Sequence, residues 1–124
     1  MFGEMRSASL LAKVSSGDAS ALPAWQALEM ATINGAKALN LDSEIGSIEV
    51  GKAADMIAVN LSSFATSPVY DPVSALVFSC SRDQVSDVWV NGNHLVKKGQ
   101  LSSVNTPNLV ATANKWAERI STIK

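Results

Sequence analysis

Residues 85–96 read VSDVWVNGNHLV, two segments of alternating side chains joined by Asn91-Gly92. Asn and Gly both tolerate the positive φ that a type I′ turn requires at its two central positions, so this dipeptide predicts a β-hairpin. Alternation along the first strand predicts that Val88 and Val90 face a core. An antiparallel sheet is therefore expected in the second half of the chain.

Further strand and turn signals surround this hairpin. Lys98-Gly99 is expected to close its returning strand, and DMIAVNL at 55–61 predicts a second strand whose two faces are both partly buried. Residues 42–52 hold two glycines and alternating apolar side chains, which predict turns around a short strand with Ile45, Ile48 and Val50. Residues 62–72 carry two prolines and are expected to be irregular. The pattern of residues 72–80 fits a short helix or a strand, and we favour a helical turn.

Helical patterns precede the strands. Residues 2–15 place Phe2, Met5, Ser9 and Ala12 along one stripe, which predicts a first helix. A second helix is predicted from Pro23, at its first turn, to about residue 40. Its small-residue seam suits close packing, and we interpret Gly35 as a close-contact position; the seam comprises Ala24, Ala27, Leu28, Ala31, Gly35 and Ala38.

A third helical pattern follows the strands. Thr106-Pro107 predicts an N-cap followed by a first-turn proline, and the helix is expected to end near Lys124. Its expected apolar face consists of Leu109, Ala113, Trp116 and Ile120. The predicted class is α+β, with a helical segment at 1–41, a β-rich portion at 42–104 and a C-terminal helix at 105–124.

Composition limits the partners. The net charge is −1, which argues against nucleic acid or an anionic membrane, because both require clustered positive charge. No apolar run is long enough for a membrane helix, the first residues do not resemble a signal peptide, and one cysteine fits a reducing cytoplasm. Apolar residues make up 47% and charged residues 17%, below the usual ~25%, so we expect surface buried against another chain, with self-association as a dimer.

The residues that could carry chemistry are few. His94 is the only histidine, so the chain by itself cannot form a poly-histidine metal site, and a partly exposed strand residue is its expected role. Neighbouring side chains alternate along a strand, which argues against convergent partners for His94. Cys80 has only Arg82 as a basic neighbour in sequence, so a buried, inert thiol is expected.

The remaining polar signals are also incomplete. Four staggered acids predict a solvated rim, not a paired acid/base site: Asp42, Glu44, Glu49 and Asp55. The Gly46…Gly51-Lys52 spacing matches neither phosphate-binding glycine motif, since Ala53 follows the lysine where Ser or Thr is required. Trp25, Trp89 and Trp116 are interpreted as core or interface anchors. No catalytic, cofactor-binding or metal-binding residue is therefore predicted in this chain.

Three segments in order resemble the amidohydrolase superfamily: LEMATINGAKAL at 28–39, IGSIEVGKAADMIAV at 45–59, and VSDVWVNG at 85–92 continuing to GQL at 99–101. MFGEMR at 1–6 and PVYDP at 68–72 resemble the branch of S-adenosylhomocysteine/5′-methylthioadenosine deaminases and triazine chlorohydrolases. The resemblance implies metal-assisted hydrolysis of a C–N or C–Cl bond on an aminated heterocycle, with zinc or another divalent metal in the full-length family.

The resemblance also implies a fragment. Members of this superfamily are several hundred residues long, with a metal-bearing (β/α)8 barrel and a small β-sandwich built from both chain ends. We expect this chain to begin after the last metal ligand and to hold the final barrel helices, part of the sandwich and a C-terminal helix. The missing barrel region is then its expected partner. The alternative hypothesis is a stand-alone, non-catalytic α+β module for interaction or oligomerisation.

Overall fold

The computed structural model describes residues 1–122, in which a helical half is followed by an antiparallel sheet and a last helix. The helical half contains α1 (Phe2–Ser16), α2 (Ala24–Ala31) and α3 (Ile33–Ala38). After the sheet's first strand, a helical turn α4 (Pro72–Ser74) continues as one π-helical turn, Ala75–Ser79. The predicted helical turn at 72–80 is thus confirmed.

The sheet has four strands in the order β1 (Met56–Val59), β2 (Val85–Val90), β3 (Asn93–Lys97) and β4 (Gln100–Leu101), all antiparallel. A 3₁₀ turn, Arg82–Gln84, leads into β2. The helix α5 (Thr106–Ser121) follows the sheet, and the predicted helix end near Lys124 lies outside the described residues. Asn105 caps α5 by accepting from the Asn108 amide, one residue before the predicted Thr106 cap.

The hairpin prediction is confirmed. Asn91 and Gly92 have φ of 48° and 75°, as a type I′ turn requires, and they join β2 to β3. Lys98 and Gly99 likewise have positive φ and join β3 to β4. The expected burial of this hairpin is only partly right, because Val88 is half-buried whereas Val90 is exposed.

The core lies among the helices. Met5, Ala24, Ala27 and Val77 are buried together, and Phe2, Leu28 and other apolar side chains of α1, α2 and the 72–80 segment pack around them. The predicted α1 stripe is confirmed, since Met5 and Ser9 are buried and Phe2 and Ala12 half-buried. Side chains on α5 are all exposed within the described residues.

The second predicted helix is interrupted at Thr32, so the expectation of one helix to residue 40 is wrong. The Thr32 hydroxyl donates to the Leu28 carbonyl at 2.7 Å and its amide to the Glu29 carbonyl at 3.2 Å, which closes α2. Side-chain bonds of this kind bend helices. Pro23 is the N-cap of α2, one position before the expected first turn.

One further expectation is wrong, and another holds only in part. Residues 42–52 form turns without a strand, and Ile48 and Val50 are exposed. Alternating apolar residues form a strand only where another strand pairs with them, and the Ala53 amide here bonds the Glu44 carbonyl of the same loop. In β1, Ile57 is exposed, but Met56, Ala58 and Val59 are half-buried, so the predicted partial burial of both faces holds except at Ile57.

Candidate functional site

The hairpin brings three side chains together. His94 lies opposite Trp89 in the β2–β3 register, and their rings stack with centroids 4.4 Å apart and planes at 16°. His94 Nε2 also lies 2.8 Å from Asp87 Oδ1, on the diagonal neighbour of the same face. His94 is partly exposed, as predicted, but the expectation that it has no convergent partner is wrong because the partners come from the facing strand.

The Asp87 carboxylate is held in its charged form. Hydrogen bonds from the Ser86 side chain, from His94 and from the Lys98 amide keep the pKa of Asp87 below its usual value, against some desolvation. Its bond to the Lys98 amide also ties the second tight turn to β2. Asp87 and His94 therefore form a link between the two strands, and in the part of the chain that the structure describes no third potential metal ligand is grouped with them.

A second polar cluster closes the 46–52 loop. Lys52 Nζ donates to Ser47 Oγ at 2.6 Å and lies 3.5 Å from Glu49, and the Ser47 hydroxyl donates to the same carboxylate. The Lys52 side chain is only 11% exposed. Its ammonium is thus directed to its own loop, and the loop presents no free cation for a phosphate.

Cys80 is fully buried, and burial raises the pKa of its thiol, although the nearby Arg6 charge lowers it. Its basic neighbour is Arg6 of α1, not Arg82, which is exposed. Arg6 donates through Nε to the Val77 carbonyl at 3.2 Å and through Nη2 to the Cys80 carbonyl at 2.7 Å. Arg6 was missed as a structural residue because its partners are more than 70 positions away in sequence.

The four acids are spread as the pattern indicated. Glu44, Glu49 and Asp55 are exposed and Asp42 is half-buried, and the Asp55 carboxylate accepts from the Asn91 amide at 2.6 Å. Among residues 1–122, no three His, Cys, Asp or Glu side chains are grouped so that they could hold a metal ion. Within that same range, no helix is long and apolar enough to cross a membrane.

The tryptophans do not form a core. Trp25 and Trp116 are 59% and 55% exposed, and Trp89 is half-buried beside His94. The core interpretation of these residues is therefore wrong, and the interface interpretation stays a prediction. Many other large apolar side chains are exposed on the helices and loops, among them Leu39, Ile48, Val50, Phe64 and Tyr70.

Comparison with known proteins identifies the class. The sequence pattern of the Amidohydrolase family matches residues 1–95. The chain therefore belongs to the amidohydrolase family. Its mixed architecture of helices and antiparallel sheet also matches chains of solved amidohydrolases.

Particular relatives fall within one branch. The chain is 43% identical over 120 residues to a 5-methylthioadenosine/S-adenosylhomocysteine deaminase of Teredinibacter turnerae, covering 97% of this chain and 27% of that protein. It is 40% identical to a 5′-deoxyadenosine deaminase of Methanosarcina acetivorans, with the same coverage. The chain thus spans about a quarter of the length of the curated relatives it matches.

Two solved structures extend the comparison to the fold. An adenosine deaminase from Xanthomonas campestris with bound zinc superposes with a TM-score of 0.91 at 44% identity, over 99% of this chain and 28% of that one. An atrazine chlorohydrolase from Arthrobacter aurescens, complexed with zinc, gives a TM-score of 0.82 at 28% identity, over 93% of this chain and 26% of that one. Both kinds of enzyme in the branch named by the sequence resemblance, the deaminases and the triazine chlorohydrolases, are confirmed as relatives.

Proposed function

We propose that this chain is the C-terminal part of a metal-dependent amidohydrolase that removes an amine, or a chloride, from an aminated heterocycle by hydrolysis. The observation that carries the proposal is the match of 97% of this chain to 27% of a 5-methylthioadenosine/S-adenosylhomocysteine deaminase. A cytoplasmic location belongs to the same proposal.

The proposal assigns the elements to two parts of the parent fold. The helices α1–α3 would complete the end of a (β/α)8 barrel, and β1–β4 would form part of a small antiparallel sandwich. Exposed apolar side chains on both the helical part and the sheet support this division. Trp25 and Met30 of α2 are 59% and 50% exposed, and Ile57 of β1 is 54% exposed. Apolar surface of this extent commonly marks a face that another part of a protein covers.

The parent's metal does not fit this chain. A catalytic zinc site needs three protein ligands from His, Asp, Glu or Cys. The sequence has a single histidine, and its nearest acidic partner, Asp87, is already engaged with the hairpin. We therefore propose that this chain is not catalytic on its own and that the rest of the enzyme supplies the ligands and the water-activating groups.

An activity assay of the purified chain tests this proposal. Ammonia release from 5′-methylthioadenosine and adenosine, and chloride release from atrazine, would be measured with and without added Zn²⁺. No turnover above buffer is expected under either condition. Zinc-dependent turnover that His94→Ala abolishes would overturn the proposal, because the chain would then carry its own metal site.

The coding region gives an independent check. We expect the open reading frame to continue upstream of the Met1 codon and to encode a strand with a His-x-His motif. The stand-alone module hypothesis would gain if no such frame exists there or in a neighbouring gene.

A further inference from the structure

The chain contains two Asn-Gly dipeptides, and both asparagines are exposed. Asn34-Gly35 lies inside the helix α3, whereas Asn91-Gly92 forms the tight turn between β2 and β3. Asparagine followed by glycine loses its side-chain amide more readily than other asparagines, because glycine has no side chain to hinder attack by its own backbone nitrogen. The two dipeptides therefore share the same local chemistry and differ in their backbone conformation.

The reaction joins the backbone of Gly92 to the side chain of Asn91. The Gly92 nitrogen loses its proton and attacks Asn91 Cγ, an N–Cγ bond forms, and the Cγ–Nδ2 bond breaks with release of ammonia. Water then opens the resulting succinimide ring at either carbonyl, which leaves aspartate or isoaspartate at position 91. The only co-reactant is water, and the net charge of −1 becomes more negative by one unit.

Both backbone amides of the turn are held by the segment that precedes β1. The Asp55 carboxylate accepts from the Asn91 amide at 2.6 Å, and the Ala54 carbonyl accepts from the Gly92 amide at 3.1 Å. The second bond occupies the proton that Gly92 has to lose. Ring closure also needs a large rotation about the Asn91 Cα–C bond, so the turn has to leave its folded conformation before the ring can close.

We propose that Asn91 is a site of spontaneous deamidation, and that Asp55 and Ala54 set its rate by holding the turn closed. The Asp55 bond is the stronger restraint, because its acceptor is charged, and it joins residues 36 positions apart in the sequence. This inference does not depend on the proposed hydrolase function.

Asn34 is the protected counterpart of Asn91. Two helical hydrogen bonds span its dipeptide: the Ala36 amide donates to the Thr32 carbonyl at 3.0 Å, and the Leu39 amide donates to the Gly35 carbonyl at 3.3 Å. The rotation that closes the succinimide ring would break these bonds. Asn34 is therefore expected to keep its amide as long as α3 is folded.

An isoaspartate at position 91 would change the hairpin. Its main chain runs through the former side-chain carbon and gains one atom, which a two-residue turn cannot accommodate without a change in geometry. The β2–β3 register places His94 Nε2 2.8 Å from Asp87 Oδ1, so this pair is expected to separate. An aspartate product keeps the backbone length but adds a second carboxylate on the residue that Asp55 binds.

Peptide mapping of the full chain tests the site. The chain would be kept in mildly alkaline buffer, where amide nitrogens lose protons more readily, and its Asn34 and Asn91 peptides followed by mass spectrometry. Aspartate and isoaspartate are expected at position 91, while Asn34 keeps its amide. The chain unfolded in guanidinium chloride is the reference, in which both sites should react. An unchanged Asn91 in the folded chain, once the reference has reacted, or equal reaction of Asn34 and Asn91, would overturn the proposal.

Matched variants test the restraint on the turn. Asp55→Ala removes the carboxylate that binds the turn, and Glu118→Ala removes an exposed carboxylate of α5 with the same change in net charge. Asp55→Ala is expected to speed deamidation of Asn91 about three- to tenfold, the range that the loss of one hydrogen bond gives. Glu118→Ala is expected to react at the rate of the unmodified chain. Equal rates in the two variants would show that Asp55 does not restrain the turn.

Asn34 also reports whether a variant remains folded. If Asp55→Ala speeds the loss of both amides equally, that variant has unfolded, and hydrogen exchange of the unmodified chain decides the question. The Gly92 amide is expected to exchange several times more slowly than the same amide in the unfolded chain, because the Ala54 carbonyl holds its proton. Exchange of Gly92 at the unfolded rate would contradict the restraint and overturn the proposal.

Discussion

Gly46 lies directly against Ala36 of α3: a Cβ added to Gly46 would be 2.7 Å from the Ala36 Cβ and 3.0 Å from the Ile33 Cα. Gly46 also has a φ of 92°, which L-residues rarely adopt. This contact joins the turn region to the helix that resumes after Thr32. Gly35 is also a close-contact position, as predicted, since a Cβ added there would be 3.2 Å from the Met30 carbonyl oxygen of α2.

Gly46→Ala is expected to lower the free energy of unfolding by about 2–4 kcal/mol, since it combines left-handed backbone strain with overpacking. Gly51→Ala is the matched control, because Gly51 has a φ of 95° with no atom within 4 Å of an added Cβ. The control should cost about 1 kcal/mol, from strain alone. Urea unfolding of both variants measures the difference, and equal midpoints would show that the Ala36 contact is absent.

Gly92→Val tests the hairpin turn. Gly92 has a φ of 75° and open space around an added Cβ, so the effect comes from the backbone and not from a clash. A β-branched residue at this φ should destabilise the chain by at least about 1 kcal/mol. Thermal unfolding provides the measurement, and an unchanged midpoint would show that the turn is placed wrongly.

Arg6→Met is expected to destabilise the chain by about 1.5–3 kcal/mol, because two carbonyls lose bonds to a charged donor. These are the carbonyls of Val77 and Cys80 at the end of the π-helical turn. Arg82→Met is the control at an exposed site and should change stability by less than about 0.5 kcal/mol. Chemical denaturation compares the two, and similar losses would mean that Arg6 does not hold α1 to this turn.

Asp87 predicts an acid-dependent loss of stability. Its pKa is lowered in the folded chain, so its contribution is present above the unfolded value of about 3.9 and is lost as the pH falls through the lower folded pKa. Stability of the parent should therefore fall below about pH 4, and Asp87→Asn should reduce this fall. Denaturation midpoints from pH 2.5 to 7 test the expectation, and parallel profiles of the two proteins would contradict it.

The hairpin was predictable from sequence because its signal is local: Asn91 and Gly92 fix the turn, and the turn fixes the register. That register also places residue 94 opposite 89 and diagonal to 87, so the His94–Asp87–Trp89 group was available from the sequence. It was missed because only the neighbours of His94 on its own strand were considered. Cross-strand neighbours have to be derived from the turn.

The break at Thr32 and the turns at 42–52 were not predictable in the same way. The apolar period continues through Thr32, and only the Leu28 carbonyl bond and the nearby Gly46 mark the interruption. The apolar residues Ile48 and Val50 predicted a strand. Whether such a segment pairs with another strand depends on residues far away in the sequence. Arg6 likewise depends on contacts across more than 70 positions.

Reconstitution tests the central claim most directly. The Xanthomonas campestris adenosine deaminase, truncated before the quarter that matches this chain, would be mixed with the purified chain and assayed for zinc-dependent ammonia release from adenosine. The account predicts no activity from either piece alone and measurable activity from the mixture. Activity that is absent from the mixture, with no complex detectable between the two pieces, would contradict the assignment of this chain as the C-terminal part of such an enzyme.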